Sequence, residues 1–384
     1  MKFWGAIRSR RLRVLITNFA MTSPGGTQSV TRDLARKLMA SGHSVVVYSP
    51  LVGAMGEELR QIGITVVDDL CAVTEAPDII HGHHSIPTAE AIIRFPNVPA
   101  ISVCHAWLAG VEAPVVLPQV QYYVGVDEAC VDRIRQTAGI DPERVRLIPN
   151  GVVLDRIQKR NRSLPDRPQR AVAFGKAAKL APMLAKVCTD LGMDIQIIGG
   201  SPEQLTSTPE TILVNSDLVF ASARAALESI CAGCAVVVCD ARGVAGMATE
   251  ENFDRWRTRN FGLRTLTLPP TAKTIRAEIE RYDAVAATAL ATRARRETDF
   301  ELGFTRYLKF YRRAIKRLAK RPVSIEQHAI AVSAFLRNVL PRSLSPELSM
   351  EAVGRDTVGK LLSLMDENLY LKNSLAAAQL DSDT

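Results

Sequence analysis

The sequence predicts an α/β protein with two doubly wound halves and a helical C-terminal extension. Three observations predict it. Short apolar runs rich in valine and isoleucine alternate with stretches of helical period from Leu12 to Ile148. The alternation restarts at Ala171 and runs to Asp240. From Thr271 onward only the helical period remains. The runs Leu218–Phe220 and Ala235–Cys239 are apolar throughout, as expected of parallel strands buried on both faces.

The first half opens with a strand, Leu12–Thr17, and a loop holding Pro24-Gly25-Gly26. A helix over Gln28–Ala40 follows, with Val30, Leu34, Leu38 and Met39 on one side and Arg32, Arg36 and Lys37 directed elsewhere. Ser41-Gly42-His43 stops it before the strand Val45–Tyr48. Glycines at the entry to the helix place free N–H groups and the helix dipole where an anion can bind. The dinucleotide fingerprint G-x-G-x-x-G is absent, which argues against a nicotinamide or flavin cofactor. Further strands are expected at Ile64–Val67, Ile79–Ile80, Ala100–Val103, Tyr122–Val126 and Val145–Ile148, with helices at Thr88–Arg94 and Glu128–Thr137. Lys159–Gln169, charged and with two prolines, reads as a linker.

In the second half, strands are expected at Ala171–Phe174 and Ile195–Ile198 around a helix over Lys179–Asp190. Its centre is the run from Ser216 to Asp240: a strand at Leu218–Phe220, a helix ended by Gly233, and a strand at Ala235–Cys239. One carboxylate, Glu228, and one guanidinium, Arg224, sit inside this apolar unit. A charge there needs either solvent or a partner. Cys231 and Cys234 have C-x-x-C spacing but close a helix, whereas redox pairs usually open one.

Phe304, Tyr307, Leu308, Tyr311, Ile315 and Leu318 form an apolar stripe flanked by Arg306, Lys309, Arg312, Arg313, Lys316, Arg317 and Lys320. In the tail, Leu361, Leu364, Asn368, Leu371 and Leu375 fit a short coiled-coil seam. It could pair two copies into a homodimer or pack on the body. The expected domains are 1–160, 161–290, the crossing helices 291–322 and the tail 323–384.

The chain of 384 residues carries a net charge of +8, which favours anionic partners. No recognised nucleic-acid module accompanies the basic runs, so no nucleic-acid partner is expected. An anionic membrane surface would suit them. No apolar run approaches the roughly 20 residues of a membrane span, and the N-terminus lacks a signal-peptide core. Seven scattered cysteines suit a reducing compartment, so a cytoplasmic location is expected, with membrane association on the cytoplasmic face as an addition.

Five local sequences sharpen the reading: Gly25-Gly26 with the helix up to Ser41-Gly42-His43; Asp78-Ile-Ile-His-Gly-His-His84; Val103-Cys-His-Ala-Trp107; Ile148-Pro-Asn-Gly151; and Leu227-Glu-Ser-Ile-Cys-Ala-Gly233. In this order and spacing the chain resembles the group 1 nucleotide-sugar-dependent glycosyltransferases, which are mostly retaining enzymes. The resemblance spans Leu12 to about Leu268 and implies the GT-B architecture, two Rossmann-like domains facing across a cleft. It implies transfer of a sugar from a nucleoside diphosphate sugar to a saccharide or lipid-linked acceptor, as in cell-surface polysaccharide or glycolipid synthesis.

Through that resemblance, Gly25 and Gly26 would let the backbone approach the donor diphosphate or acceptor, and His105 would sit beside the transferred sugar. Lys176 and Lys179 would neutralise the diphosphate leaving group. Glu228 matches the second glutamate of the family's E-x7-E pattern and would accept hydrogen bonds from the ribose, while Asn150 and Gly151 would mark the cleft floor. Phe220 stands where the first glutamate belongs, and Arg224 would instead reach a donor phosphate. His81, His83 and His84 raise the question of a metal, but without an acidic or cysteine cluster they read as strand-end packing residues. Neither metal nor cofactor is expected, because lysines and helix N-termini can carry the phosphate charge. Two alternatives stay open: a nucleotide-sugar epimerase of the same fold, and an inactive relative acting as an oligomeric partner.

Overall fold

The computed structural model describes residues 11–107, 110–199, 204, 206 and 208–339. They form two compact units, residues 11–148 with 304–339 and residues 149–303. The division at Ile148/Pro149 falls ahead of the charged segment 159–169. The predicted seam from Leu361 to Leu375 lies outside the described residues.

The first unit opens with β1 (Arg13–Thr17), β2 (Ala20–Met21), α1 (Gly26–Ala40), β3 (Ser44–Tyr48) and β4 (Leu51–Val52). It continues through α2 (Ala54–Gln61), β5 (Thr65–Val67), β6 (Ile79–His83), α3 (Ser85–Arg94) and β7 (Ala100–Cys104). Then come β8 (Val120–Gly125), α4 (Glu128–Gln136) and β9 (Val145–Leu147). Seven strands make a parallel sheet in the order β5-β3-β1-β6-β7-β8-β9, and β2 pairs with β4 beside it. From β1 the chain runs outward to β3 and β5, then returns to place β6 on the other side of β1. That reversal is a topological switch point, where open parallel sheets leave a crevice beyond their carboxyl ends.

The expected α1 face needs two corrections. Met39 is exposed, while Arg32 is buried against Asp33 at 3.2 Å and Glu58 at 3.7 Å. Its charge is tolerated because carboxylates meet it.

The second unit comprises β10 (Arg170–Phe174), α5 (Ala181–Asp190), β11 (Asp194–Ile198), α6 (Glu210–Leu213), β12 (Leu218–Ala221) and α7 (Ala223–Ala232). It is completed by β13 (Ala235–Asp240), β14 (Gly243–Met247), α8 (Glu250–Thr258), α9 (Ala272–Glu280) and α10 (Ala284–Glu297). The sheet order is β11-β10-β12-β13-β14, parallel except for β14, and its switch point lies between β10 and β12. Side chains alternate between two cores. Val172, Val219, Val236 and Val238 meet α7, α8 and α10 on one face. Ala173, Phe220, Val237 and Cys239 meet α5 and α9 on the other. Two buried faces explain why these strands read as unbroken apolar runs.

The helix expected over Lys179–Asp190 divides into a 3₁₀ turn, Gly175–Leu180, and α5. Pro182, which lacks an N–H, fits only the first turn of a helix and so marks where α5 begins. Gly233, at φ 95°, closes α7 as expected.

α11 (Phe300–Lys320) enters the first unit at Phe304, and α12 (Ile325–Val339) follows. The buried stripe of α11 is Phe304, Tyr307, Phe310, Tyr311, Ala314 and Leu318. Leu308 and Ile315, expected in it, are only half-buried, because Phe310 takes the place against Tyr122 at 5.0 Å between ring centroids.

Candidate active site

At the switch point of the first sheet the chain concentrates histidine. β6 extends three residues beyond the expected Ile80, so His81 and His83 lie within the strand, on one face, with Gly82 between them on the other. A Cβ at Gly82 would collide with the Thr88 side chain, so α3 closes on this strand only because the position is glycine. On the histidine face, α11 supplies Tyr311, whose hydroxyl lies 2.7 Å from His81 Nδ1. The His81 and His83 rings meet edge to face at 4.6 Å. His83 Nδ1 then lies 2.8 Å from His105 Nε2, at the end of β7.

Burial drives the His81 pKa down to about 3, helped by His105, and holds His83 well below the usual histidine range. Both rings are therefore neutral near pH 7. Among the described residues, the buried Nε2 of each finds no hydrogen-bond partner.

Glu112 ties the two strand ends together. Its Oε2 accepts the His105 backbone N–H at 2.8 Å, and its Oε1 lies 3.4 Å from His84 Nε2. His84 Nδ1 accepts the Phe19 N–H at 3.0 Å, which leaves the ring proton on Nε2, facing the carboxylate. Burial raises the Glu112 pKa, but the hydrogen bond from His84 and the nearby His105 and His84 rings outweigh it and keep the carboxyl ionised. His84 itself has φ 65° and ψ 145°, a backbone conformation costing on the order of 1–3 kcal/mol that only a well-braced turn maintains. Thr88 Oγ1 donates to the His84 carbonyl at 2.6 Å and supplies part of that bracing.

Thus His81, His83 and His84 are more than strand-end packing: they form a connected network ending on His105. Among the described residues no group of His, Cys, Asp and Glu is arranged to hold a metal. Gly25 and Gly26 flank the start of α1, which has no side-chain cap. Gly25 is extended, at φ −159°, so neither glycine is required by an unusual backbone. What Gly26 does provide is room, since nothing lies within 4 Å of where its Cβ would be.

The second switch point is built from charge pairs. Glu228, on α7, is buried rather than solvated. Its Oε1 accepts from Arg156 Nη2 at 2.6 Å and from Arg224 Nε at 2.9 Å. Arg224, expected from the sequence to reach a donor phosphate, also pairs with Glu228. Arg156 also reaches Glu210 at 2.9 Å. Next to this set, Ser222 donates to Asp240 at 2.7 Å and Arg242 clamps the same carboxylate. Burial raises the Asp240 pKa, but Arg242 and Ser222 outweigh it and hold it low. Ala223, between Ser222 and Arg224, takes φ 54°, so both switch points carry a strained residue at the strand-to-helix turn.

Lys176 and Lys179 are exposed on the turn after β10. Gly175 holds that turn near α7: a Cβ on it would meet Ala225 Cβ at 3.7 Å. Asn150 Nδ2 donates weakly to Asn260 at 3.4 Å, and the neighbouring Phe261 carbonyl accepts the Ala223 N–H at 2.8 Å. Gly151 has a structural duty. Val152 pairs with the 298–300 segment through hydrogen bonds of 2.8 and 2.9 Å, and a Cβ at Gly151 would stand 2.7 Å from Phe300 Cα. Gly151→Ala is therefore expected to cost about 1–3 kcal/mol of stability, measurable by thermal melting; an unchanged melting temperature would show that residues 298–300 give way freely.

Residues 24–156 match the family model described as Glycosyltransferase Family 4. A glycosyltransferase from Rickettsia africae superposes with TM-score 0.54 at 13% identity, over 80% of this chain and 100% of its own. Anabaena HepE, solved with UDP and glucose, gives 0.55 at 14% over 78% of this chain and 99% of its own. The starch synthase IV catalytic domain of Arabidopsis thaliana, bound to ADP and acarbose, gives 0.51 at 12% over 80% and 100%. The fold is GT-B. No curated protein sequence matches the chain.

Phe220, where the resemblance would place a glutamate, is fully buried in β12 and faces the core. No carboxylate stands there. Arg156 and Glu112 escaped the sequence reading. The only signal for Arg156 was that a glutamate inside an apolar helix demands a cation, and the cation lies 72 positions away. Glu112 is the sole acid between His105 and Asp127, which marked it as unusual but did not name its partner.

Proposed function

We propose that this protein transfers a sugar, of hexose type, from a nucleoside diphosphate sugar to a saccharide or lipid-linked acceptor in the synthesis of cell-surface polysaccharide or glycolipid. The observation that carries the reading is the buried Glu228 with its guanidiniums at the switch point of the second sheet, beside the Lys176 turn. A fixed acceptor for ribose hydroxyls and cations for a diphosphate are what donor binding requires. On the first unit, the His83–His105–Glu112 network would hold an imidazole for the reacting sugar and its acceptor. No carboxylate nucleophile stands in a matching motif, which favours a front-face, retaining displacement through a short-lived oxocarbenium ion. Lys176 and Lys179 would take the leaving-group charge without a metal.

The test is thermal melting against a panel of nucleoside diphosphate sugars. A true donor at about 100 times its Kd adds about 2.7 kcal/mol of stability. His105→Ala is expected to keep that shift and to lose about 10²–10⁴-fold in transfer rate. If no donor raises the melting temperature the reading fails in favour of an inactive relative. Isomerisation of the donor without acceptor would replace transfer by epimerisation.

A further inference from the structure

The outer face of α11 carries a feature that sugar transfer does not use. Arg306, Lys309, Arg313, Lys316 and Lys320 are all exposed and recur at alternating spacings of three and four. That spacing puts them in one line on the helix surface, about 21 Å long at 1.5 Å per residue. The opposite face, from Phe304 to Leu318, is buried in the first unit, so the line is fixed outward. No Asp or Glu occurs between Glu301 and Glu326. Among the described residues none of the five cations forms an ion pair. Like charges three and four residues apart weaken a helix, and a surface kept in solution for its own sake mixes both signs. The row is locally unfavourable and contributes nothing to the core.

Directly after it, α12 exposes aliphatic side chains. Ile325 is 90% exposed, Ile330 63%, Val339 41% and Leu336 39%. No residue of α12 is buried. Its polar content does not oppose the row: Glu326 is its only acid, and Arg337 adds a further cation.

We propose that α11 and α12 form a docking face for an anionic lipid bilayer. The cations of α11 would meet the headgroups, and the aliphatic side chains of α12 would enter the boundary between headgroups and acyl chains. Charge complementarity names the partner class. The adjoining aliphatics favour a bilayer over a nucleic acid, which would call for aromatic platforms between the cations. The proposal is independent of catalysis, since partitioning is read without turnover.

The experiment is co-sedimentation of the full chain with vesicles of phosphatidylcholine alone or mixed with phosphatidylglycerol, at low and at high salt. Binding is expected only to the anionic vesicles and to weaken with salt. Each cation replaced by alanine among Lys309, Lys316 and Lys320 is expected to lower partitioning about five-fold. Arg306→Glu with Arg313→Glu and Lys316→Glu should abolish it at an unchanged melting temperature. Ile325→Ser with Ile330→Ser should weaken binding that survives high salt. Equal binding by wild type and the charge-reversed variant overturns the proposal. So does equal sedimentation with both vesicle types, or tighter binding to duplex DNA than to anionic vesicles.

Discussion

Glu228→Ala is expected to lose about 3–5 kcal/mol of stability, the usual result of removing one partner from a buried ion pair. The side chain is 7% exposed, and its Oε1 is the shared acceptor for Arg156 and Arg224. Without it Arg156 and Arg224, both largely buried, lose the carboxylate they share. Arg156 retains Glu210, which places the loss toward the lower end of that range. Glu228→Gln keeps the shape and one acceptor, so it should fold with a smaller loss while the donor-induced melting shift disappears. Denaturant unfolding at a constant m-value measures the first effect, and donor melting measures the second. An alanine variant within about 0.5 kcal/mol of wild type would show that the pairs offset only their own desolvation. A glutamine variant with the full donor shift would remove Glu228 from nucleotide binding.

Acid is the second large lever. An unfolded chain binds protons on His81 and His83 near pH 6.5. In the folded protein burial holds His81 to about 3 and His83 well below its usual value. Between those limits the unfolded state carries more protons, so stability is complete above about pH 6.5 and falls as the pH drops. His81 alone should cost about 2 kcal/mol between pH 7 and 5. Among the described residues the ring meets Tyr307, Tyr311 and His83, none of them an acid. His81→Phe should be weaker at neutral pH, because the Tyr311 hydroxyl loses its partner, yet flatter against pH. Chemical denaturation at the two pH values reads both quantities. A wild-type midpoint that does not move between them would mean that neither ring is kept neutral by the fold.

How much of this was legible in the residues depends on how local the signal is. Valine-rich strands such as Ala235–Asp240 announce themselves because both of their faces are buried. β6 was read short because polar His81 and His83 interrupt its apolar run; only Tyr307 and Tyr311, more than two hundred positions on, make those side chains suitable for a strand interior. β14 went unread because Gly243 and Gly246 break the pattern, and the second of them is glycine where a Cβ would press on Glu278. At the site, residue types were visible but their pairings were not. Glu228 was recognisable as a charge in need of company, and Arg224, four positions away on the same helix, is one of its partners. Arg156 could be found only once the chain had folded.

The stripe of α11 also sets an order of events at the ribosome. Residues 149–303 are continuous in the chain, so the second unit can complete itself as soon as it has emerged. The first unit cannot: the face of its sheet that carries His81 and Tyr122 is covered by Tyr307, Phe310 and Tyr311, which are synthesised long afterwards. During that interval the nascent chain presents an uncovered apolar sheet, and a truncation before residue 304 would leave it so permanently.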